Sequence, residues 1–155
     1  MPQRRAFLRN ARRSIRLSTA PSAGNQQSWR FIVVRDAEKR AALSEATPYS
    51  RMIADAPVAF VVCGDTRDEK HPGYWVQDCS AAIENALVAI HALGLGAVWI
   101  GAHPVEERVA NIRRICGVPE GIVPMSMIAL GHPAQEKPPA ERYEPAYVHH
   151  DSWSE

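Results

Sequence analysis

Five consecutive residues near the N-terminus carry the strongest chemical signal in the sequence: Arg12, Arg13, Ser14, Ile15 and Arg16. Three guanidinium groups and a hydroxyl at this spacing could surround a phosphate dianion, because arginine forms paired charge-assisted hydrogen bonds with phosphate oxygens. A solvated basic arm is an equal alternative on composition alone. Non-specific nucleic-acid binding is a third, but the rest of the chain is net acidic and contains no known nucleic-acid-binding motif.

The basic residues are concentrated at one end of the chain. Eight arginines and no acidic residue precede Asp36, whereas the remaining residues include 10 basic and 17 acidic ones, so the formal net charge of +1 hides an asymmetry. Arginine outnumbers lysine 15 to 3, and its planar fork suits phosphate better than the point charge of lysine. The asymmetry predicts an anionic partner near the N-terminus.

A second segment, residues 21–27 (PSAGNQQ), places small and amide side chains directly before a predicted strand. Amides and backbone N–H groups in such a loop could bind the polar edge of a flat heterocycle or a sugar-alcohol chain. An ordinary connecting loop has the same composition and is the alternative.

A third segment, residues 94–101 (GLGAVWIG), contains a G-x-G pair. The dinucleotide fingerprint needs three glycines running from a strand into a helix. Here the predicted order is helix, glycines, strand, so that interpretation is rejected. The glycines instead end a helix and let backbone approach a planar ligand. We expect Trp99 to lie in the core rather than to serve as a stacking platform.

The sequence contains no recognisable set of catalytic side chains. Six histidines are scattered without metal-ligand spacing, and no G-x-S-x-G is present. Asp78 and Glu84 are six residues apart on one predicted helix and do not share a face. The three cysteines, Cys63, Cys79 and Cys116, are interpreted as small buried hydrophobes. Any chemistry therefore belongs to a cofactor.

Composition places the chain among globular proteins. Its 155 residues fit one domain, residues 1–155, and 46% of them are hydrophobic. No apolar run approaches the ~18 residues of a membrane span, and the basic N-terminus lacks the apolar core of a secretory signal. It weakly resembles an organelle transit peptide. Three unpatterned cysteines suit a reducing compartment, so we expect a cytoplasmic protein without a membrane partner.

Hydrophobic patterning predicts strands that alternate with helices. Strands are expected at 29–34, 57–63, 97–100 and 123–130, and helices at 3–16, 37–45, 78–93 and from Pro104 to 115, followed by a proline-rich tail from Gly131. Asp36 is expected to cap the second helix. This pattern predicts a three-layer α/β or α+β domain.

Taken together, these segments resemble the nitroreductase family of FMN-dependent enzymes. The resemblance rests, in chain order, on residues 12–16 (RRSIR), 20–29 (APSAGNQQSW), 31–34 (FIVV), 56–65 (APVAFVVCGD), 77–101, 117–124 (GVPEGIVP), 130–133 (LGHP), Arg142 and 148–153 (VHHDSW). It implies an α+β, α/β/α three-layer fold with a mixed, mostly antiparallel sheet and a C-terminal tail that wraps the partner subunit.

The resemblance also implies a site for FMN at the interface of a homodimer. The residues that match the family's phosphate-binding and flavin-binding positions are Arg12, Arg13, Ser14, Arg16, Pro21, Ser22, Asn25, Gln27, Ile100, Gly101 and Arg142. Lys137 is a second candidate for the phosphate in the tail. Family members usually have a further helix where only Leu17, Ser18 and Thr19 connect two of these segments, and usually have Pro at Ser28.

The implied activity is an oxidoreductase that takes electrons from NAD(P)H and reduces nitroaromatics, quinones or related small-molecule acceptors by a ping-pong mechanism, with no catalytic side chain. The alternative is a protein of the same fold that binds FMN or another ligand without NAD(P)H turnover. Loops at residues 47–53 and 67–75 are expected to line the acceptor pocket.

Overall fold

Strands and helices alternate along the chain in a computed structural model that describes residues 19–135 and 138–153. The strands are β1 (Trp29–Val34), β2 (Val58–Asp65), β3 (Gly96–Gly101) and β4 (Ile122–Gly131), and the α-helices are α1 (Ala37–Ser44), α2 (Trp75–Ala92) and α3 (Glu106–Cys116). Single turns of 3-10 helix lie at Ala23–Asn25, Arg51–Ile53 and Pro145–Tyr147. The predicted helix at 3–16 lies outside the described residues.

The four strands form one sheet in the order β1-β2-β4-β3, and each neighbouring pair is antiparallel. Strand β2 is buried along nearly its whole length because it lies inside the sheet and is covered on both faces. Strands β1 and β3 are the two edges of the sheet.

The core has two halves, one on each face of the sheet. On one face, α2 packs Cys79, Ile83 and Ile90 against Phe60 and Ile128. On the other face, α1 and α3 bury Leu43 and Ile112 against the strand residues that point away from α2, among them Val61, Cys63 and Met127. Because successive side chains of a strand point to opposite faces, this division confirms the predicted three-layer α+β architecture.

Most helix and strand boundaries predicted from the sequence lie within two residues of their observed positions. Asp36 caps α1 as expected, since its carboxylate accepts a hydrogen bond of 2.8 Å from the Lys39 backbone N–H. The predicted start of α3 at Pro104 is wrong by two residues. The chain stays on the sheet there, because the N–H groups of Ala102 and His103 both donate to the Met125 carbonyl.

The tail after β4 has no strand within its described residues and makes one short turn at Pro145–Tyr147. Tyr143, Tyr147 and Trp153 leave about four fifths of their surface exposed. Tails of this kind cannot form a core of their own. None of the helices in the described ranges is long and apolar enough to cross a membrane.

Candidate functional site

The loop before β1 holds an unusual backbone conformation. A 3-10 turn is closed by hydrogen bonds of 3.0 Å from the Asn25 N–H to the Ser22 carbonyl and from the Gln26 N–H to the Ala23 carbonyl. Asn25 and Gln27 have φ of 56° and 51°, values that are uncommon outside glycine. Such strain persists only where the surroundings impose it, and it is concentrated at binding sites.

A buried carboxylate in the first turn of α2 imposes this conformation. Asp78, which is 3% exposed, accepts hydrogen bonds of 2.9 Å from the Ala23 N–H, 2.9 Å from the Gln26 side-chain amide and 2.6 Å from the Ser28 hydroxyl. The N-terminal turn of a helix favours a negative group. Sequence reasoning did not identify Asp78 or Ser28 as part of the site, and it included Gln26 only as a member of the 21–27 segment.

The same loop is joined to the segment that precedes α2. The side-chain carbonyl of Gln26 accepts from the His71 N–H at 3.2 Å, so one amide bridges His71 and Asp78. The imidazole of His71 lies against Gly24, where a Cβ would come within 2.2 Å of Nε2. Because Gly24 also has φ of 51°, both space and backbone geometry favour glycine at this position.

Two further hydrogen bonds within the loop set the directions of its predicted ligand-binding side chains. The Ser22 hydroxyl accepts from the Gln27 N–H at 3.0 Å, and the Asn25 side-chain carbonyl accepts from the Gln27 side-chain amide at 3.0 Å. Pro21, Asn25 and Gln27 are exposed, and Ser22 is half-buried. The loop therefore presents a preformed polar surface to solvent.

The glycine-rich segment forms β3, at the other edge of the sheet. Ile100 is 3% exposed and its side chain belongs to the core, so only its backbone is available to a ligand. Gly101 is exposed, and a Cβ there would have no neighbour within 4 Å. The expectation that Trp99 lies in the core is wrong: 38% of its surface is exposed, because it stands on an edge strand.

A buried hydroxyl lies beside Gly101. Ser126 pairs with Gly101 across β4 and β3, is fully buried, and has no hydrogen-bond partner for its hydroxyl among the described residues. The side chains of paired residues project to the same face of a sheet. The open space over Gly101 and the unpartnered hydroxyl are thus adjacent.

Aromatic residues occupy the space between the two segments. Trp75, at the start of α2, packs edge-to-face with His103, with ring centroids 4.8 Å apart, and lies on Gly64 of β2. Tyr74 is half exposed and its ring lies 6.3 Å from that of His71. The exposed rings of His71 and Tyr74 therefore lie next to the strained loop, whereas Trp75 is buried.

Two arginines fix the carboxylate at the end of β2. Asp65 accepts bonds of 2.8 and 2.7 Å from the Arg67 guanidinium and pairs with Arg30 at 2.9 Å. The hydrogen bonds from Arg67 hold the pKa of Asp65 at about 2, below its ordinary 3.8. Arg30, one of the eight N-terminal arginines, therefore has a structural role in this ion pair.

The remaining predicted site residues divide into two groups. Arg12, Arg13, Ser14 and Arg16 lie outside the described residues, as does Lys137. Arg142 is described and exposed in the tail.

Within one chain, the loop at β1 and Gly101 at β3 are separated by three strand spacings, roughly 14 Å.

Comparison with known proteins assigns the family. The model of the nitroreductase family matches residues 2–48 and 44–132. A protein of Methanothermobacter thermautotrophicus, provisionally named NADH dehydrogenase/NAD(P)H nitroreductase, is 48% identical over 133 residues, which span 86% of this chain and 70% of that protein.

Solved structures agree with this assignment. A crystal structure provisionally named NADH oxidase from Clostridium acetobutylicum superposes with a TM-score of 0.89 at 37% identity and covers 94% of this chain and 89% of that one. An FMN-dependent nitroreductase from Clostridium difficile gives a TM-score of 0.84 at 26% identity, over 94% and 87% of the two chains. On sequence and structure together, this protein belongs to the nitroreductase family.

Proposed function

We propose that the protein binds FMN between two copies of the chain and uses NAD(P)H to reduce nitroaromatic, quinone or related acceptors. The observation that carries the proposal is the Ser22–Gln27 loop, which the buried Asp78 holds in a strained, solvent-facing conformation. A related structure of the same fold is described as an FMN-dependent nitroreductase.

The described residues fit a flavin in both shape and donor chemistry. Gly101 has open space where a side chain would stand, and the Ser126 hydroxyl beside it has no protein partner in the described part of the chain. The loop supplies amide and hydroxyl groups at Ser22, Asn25 and Gln27, which suit the polar edge of the ring and the ribityl chain. A planar ring can lie on glycine backbone without a steric conflict.

The phosphate of FMN is the anionic partner that the N-terminal arginines require. Arg12, Arg13 and Arg16, with Ser14 and the tail residue Arg142, would hold this dianion through charge-assisted hydrogen bonds. When bound, FMN would supply the redox chemistry, with NAD(P)H as the electron donor and a small molecule as the acceptor in a separate half-reaction. This chain's own residues bind and orient the cofactor, and none acts as an acid or base.

The position of the two halves of the site supports a homodimer. The loop and Gly101 stand at opposite edges of the sheet, so a second chain brings a loop to the Gly101 of the first. Val88 on α2 and Val98 on β3 are 62% and 46% exposed, so these apolar side chains are available for a second copy to cover. The tail, with its exposed Tyr143, Tyr147 and Trp153, is the segment that wraps the second copy.

The experiment measures flavin content and then electron transfer. Protein purified with added FMN is expected to retain about one flavin per chain and to elute as a dimer. Anaerobic stopped-flow mixing with NADH and with NADPH should bleach the flavin absorption, and a nitroaromatic or a quinone should restore it. Parallel double-reciprocal plots are expected for the ping-pong order.

Each failure has a distinct meaning. A protein that stays colourless after reconstitution with FMN contradicts the proposal. A protein that retains FMN but is bleached by neither donor is a flavin-binding protein without NAD(P)H turnover.

A further inference from the structure

Asp78 stands outside the set of residues that the family pattern places on FMN. Its carboxylate is nevertheless the point at which the Ser22–Gln27 loop, proposed above to contact FMN and called here the flavin loop, attaches to the fold. Both oxygens are used. Oδ1 accepts from the Ala23 N–H, and Oδ2 accepts from Gln26 and Ser28. Each of these donors is 50 or more residues away in sequence. The connection is therefore tertiary and specific to this loop.

These contacts require a hydrogen-bond acceptor at both oxygen positions of the Asp78 side chain. An ionised carboxylate only accepts hydrogen bonds, whereas an amide of the same shape has one accepting and one donating end. In either orientation, an amide at position 78 would point an N–H group at another donor, either the Ala23 N–H or the Gln26 amide. A buried donor without an acceptor is costly.

The loop depends on this anchor because its conformation is intrinsically unfavourable. Gly24, Asn25 and Gln27 all have positive φ, and for the two residues with side chains this region is sparsely populated. A loop released from Asp78 would relax, and FMN would have to order it again on binding. Ordering a flexible segment subtracts from binding free energy.

We infer that Asp78 is a positioning residue that holds the flavin loop in its binding conformation before FMN arrives, and that Gln26 extends this control to His71. This inference rests on the proposed function of the site. Through Gln26, the Asp78 carboxylate and the backbone of the expected acceptor loop are joined by two hydrogen bonds of 2.9 and 3.2 Å. A substitution at Asp78 is therefore expected to alter both the Ser22–Gln27 loop and the 67–75 loop.

A reciprocal exchange of amide and carboxylate tests the inference. Asp78→Asn should weaken FMN binding by at least about tenfold, because an unmatched donor disrupts the loop. Gln26→Glu should also weaken it, since two carboxylates then face each other. The double variant D78N/Q26E restores a donor opposite an acceptor, while the Ser28 hydroxyl can rotate to accept. It should recover affinity to within a few fold of the wild type.

Recovery in the double variant is the outcome that a general loss of stability cannot produce. Glu84→Gln, on an exposed position of the same helix, is the matched control and should bind FMN as the wild type does. Affinities are measured by the quenching of FMN fluorescence. Unchanged affinity in D78N, or a double variant no better than the weaker single one, overturns the inference.

A second measurement on the FMN-free protein separates the inference from the proposed function. Hydrogen exchange of the Ala23 and His71 amides should be faster in Gln26→Ala than in the wild type by about tenfold or more, and unchanged in E84Q. Equal exchange in Q26A and the wild type overturns the positioning role. Because this arm needs no flavin, it still decides the question if D78N does not fold or if wild-type protein fails to bind FMN.

Discussion

The indole of Trp75 lies directly on the α-carbon of Gly64, so that a Cβ on Gly64 would fall 2.2 Å from Cε3 and 2.8 Å from Cδ2. The contact joins the first turn of α2 to β2, and Trp75 is itself buried and in contact with His103. The position of α2, and with it that of Asp78, depends on the absence of a side chain at residue 64.

Gly64→Ala is therefore expected to destabilise the fold by about 1–3 kcal/mol, the usual cost of overpacking a filled core. The free energy of unfolding is measured by urea denaturation of FMN-free protein. Gly101→Ala provides the control, because a Cβ at that position meets no atom within 4 Å. Equal stability of the two variants would show that Trp75 moves aside freely.

Gly101→Ala should weaken FMN binding without lowering the stability of the fold, in contrast to Gly64→Ala. Its stability is expected to match the wild type, whereas its affinity for FMN should fall by roughly 5- to 150-fold, because a methyl group would occupy the surface proposed for the flavin ring and overpacking costs about 1–3 kcal/mol. Fluorescence titration with FMN measures the effect. Wild-type affinity in this variant would remove Gly101 from the site.

The double variant Arg12→Ala/Arg13→Ala should lose FMN at ordinary salt concentrations, because each guanidinium is proposed to bond the phosphate and charge-assisted bonds contribute about 1.5–3 kcal/mol each. Arg4→Ala/Arg5→Ala removes the same charge from the same end of the chain and should retain FMN. Riboflavin, which lacks the phosphate, should bind all three proteins with similar affinity. Equal FMN loss in both variants would indicate a general electrostatic effect.

Stability should decline in acid partly through Asp65. Its pKa in the folded protein is about 2, held below the ordinary 3.8 chiefly by the hydrogen bonds from Arg67. A depressed pKa means that the stabilisation is complete above about pH 4 and is lost as pH falls towards 2. Between those values, the unfolding free energy of Asp65→Asn should change less than that of the wild type.

Asp55→Asn, at an exposed carboxylate, is the control for this acid dependence and should follow the wild-type curve. If the D65N curve also runs parallel to that of the wild type from pH 4 to pH 2, the ion pairs with Arg30 and Arg67 do not contribute to stability.

The thiols of Cys63 and Cys79 should be unreactive in the native protein. Burial is the main cause that raises the pKa of each to about 12, so at pH 8 almost no thiolate is present. Maleimide labelling followed by peptide mass analysis should modify these two residues only as fast as the protein unfolds. Rapid labelling of either one under native conditions would contradict the buried packing.

Elements whose signals are local were predictable from the sequence. Strand β1 lies at Trp29–Val34 as its aromatic and β-branched run predicts, and Asp36 caps α1 through a bond to a residue three positions away. Gly117 ends α3 in the left-handed conformation that glycine favours. In each case the interacting atoms lie within one or two turns of chain.

The sequence by itself determined the three-layer arrangement, the family and the chemistry of the candidate cofactor residues. Only the tertiary structure decided the strand order, the exposure of Trp99 on an edge strand, and the attachment of the Ser22–Gln27 loop to Asp78. The physical reason is the range of the interactions. Periodicity and capping report on neighbours along the chain, whereas the partners of a buried carboxylate are chosen by how sheet and helix pack, 50 or more residues apart.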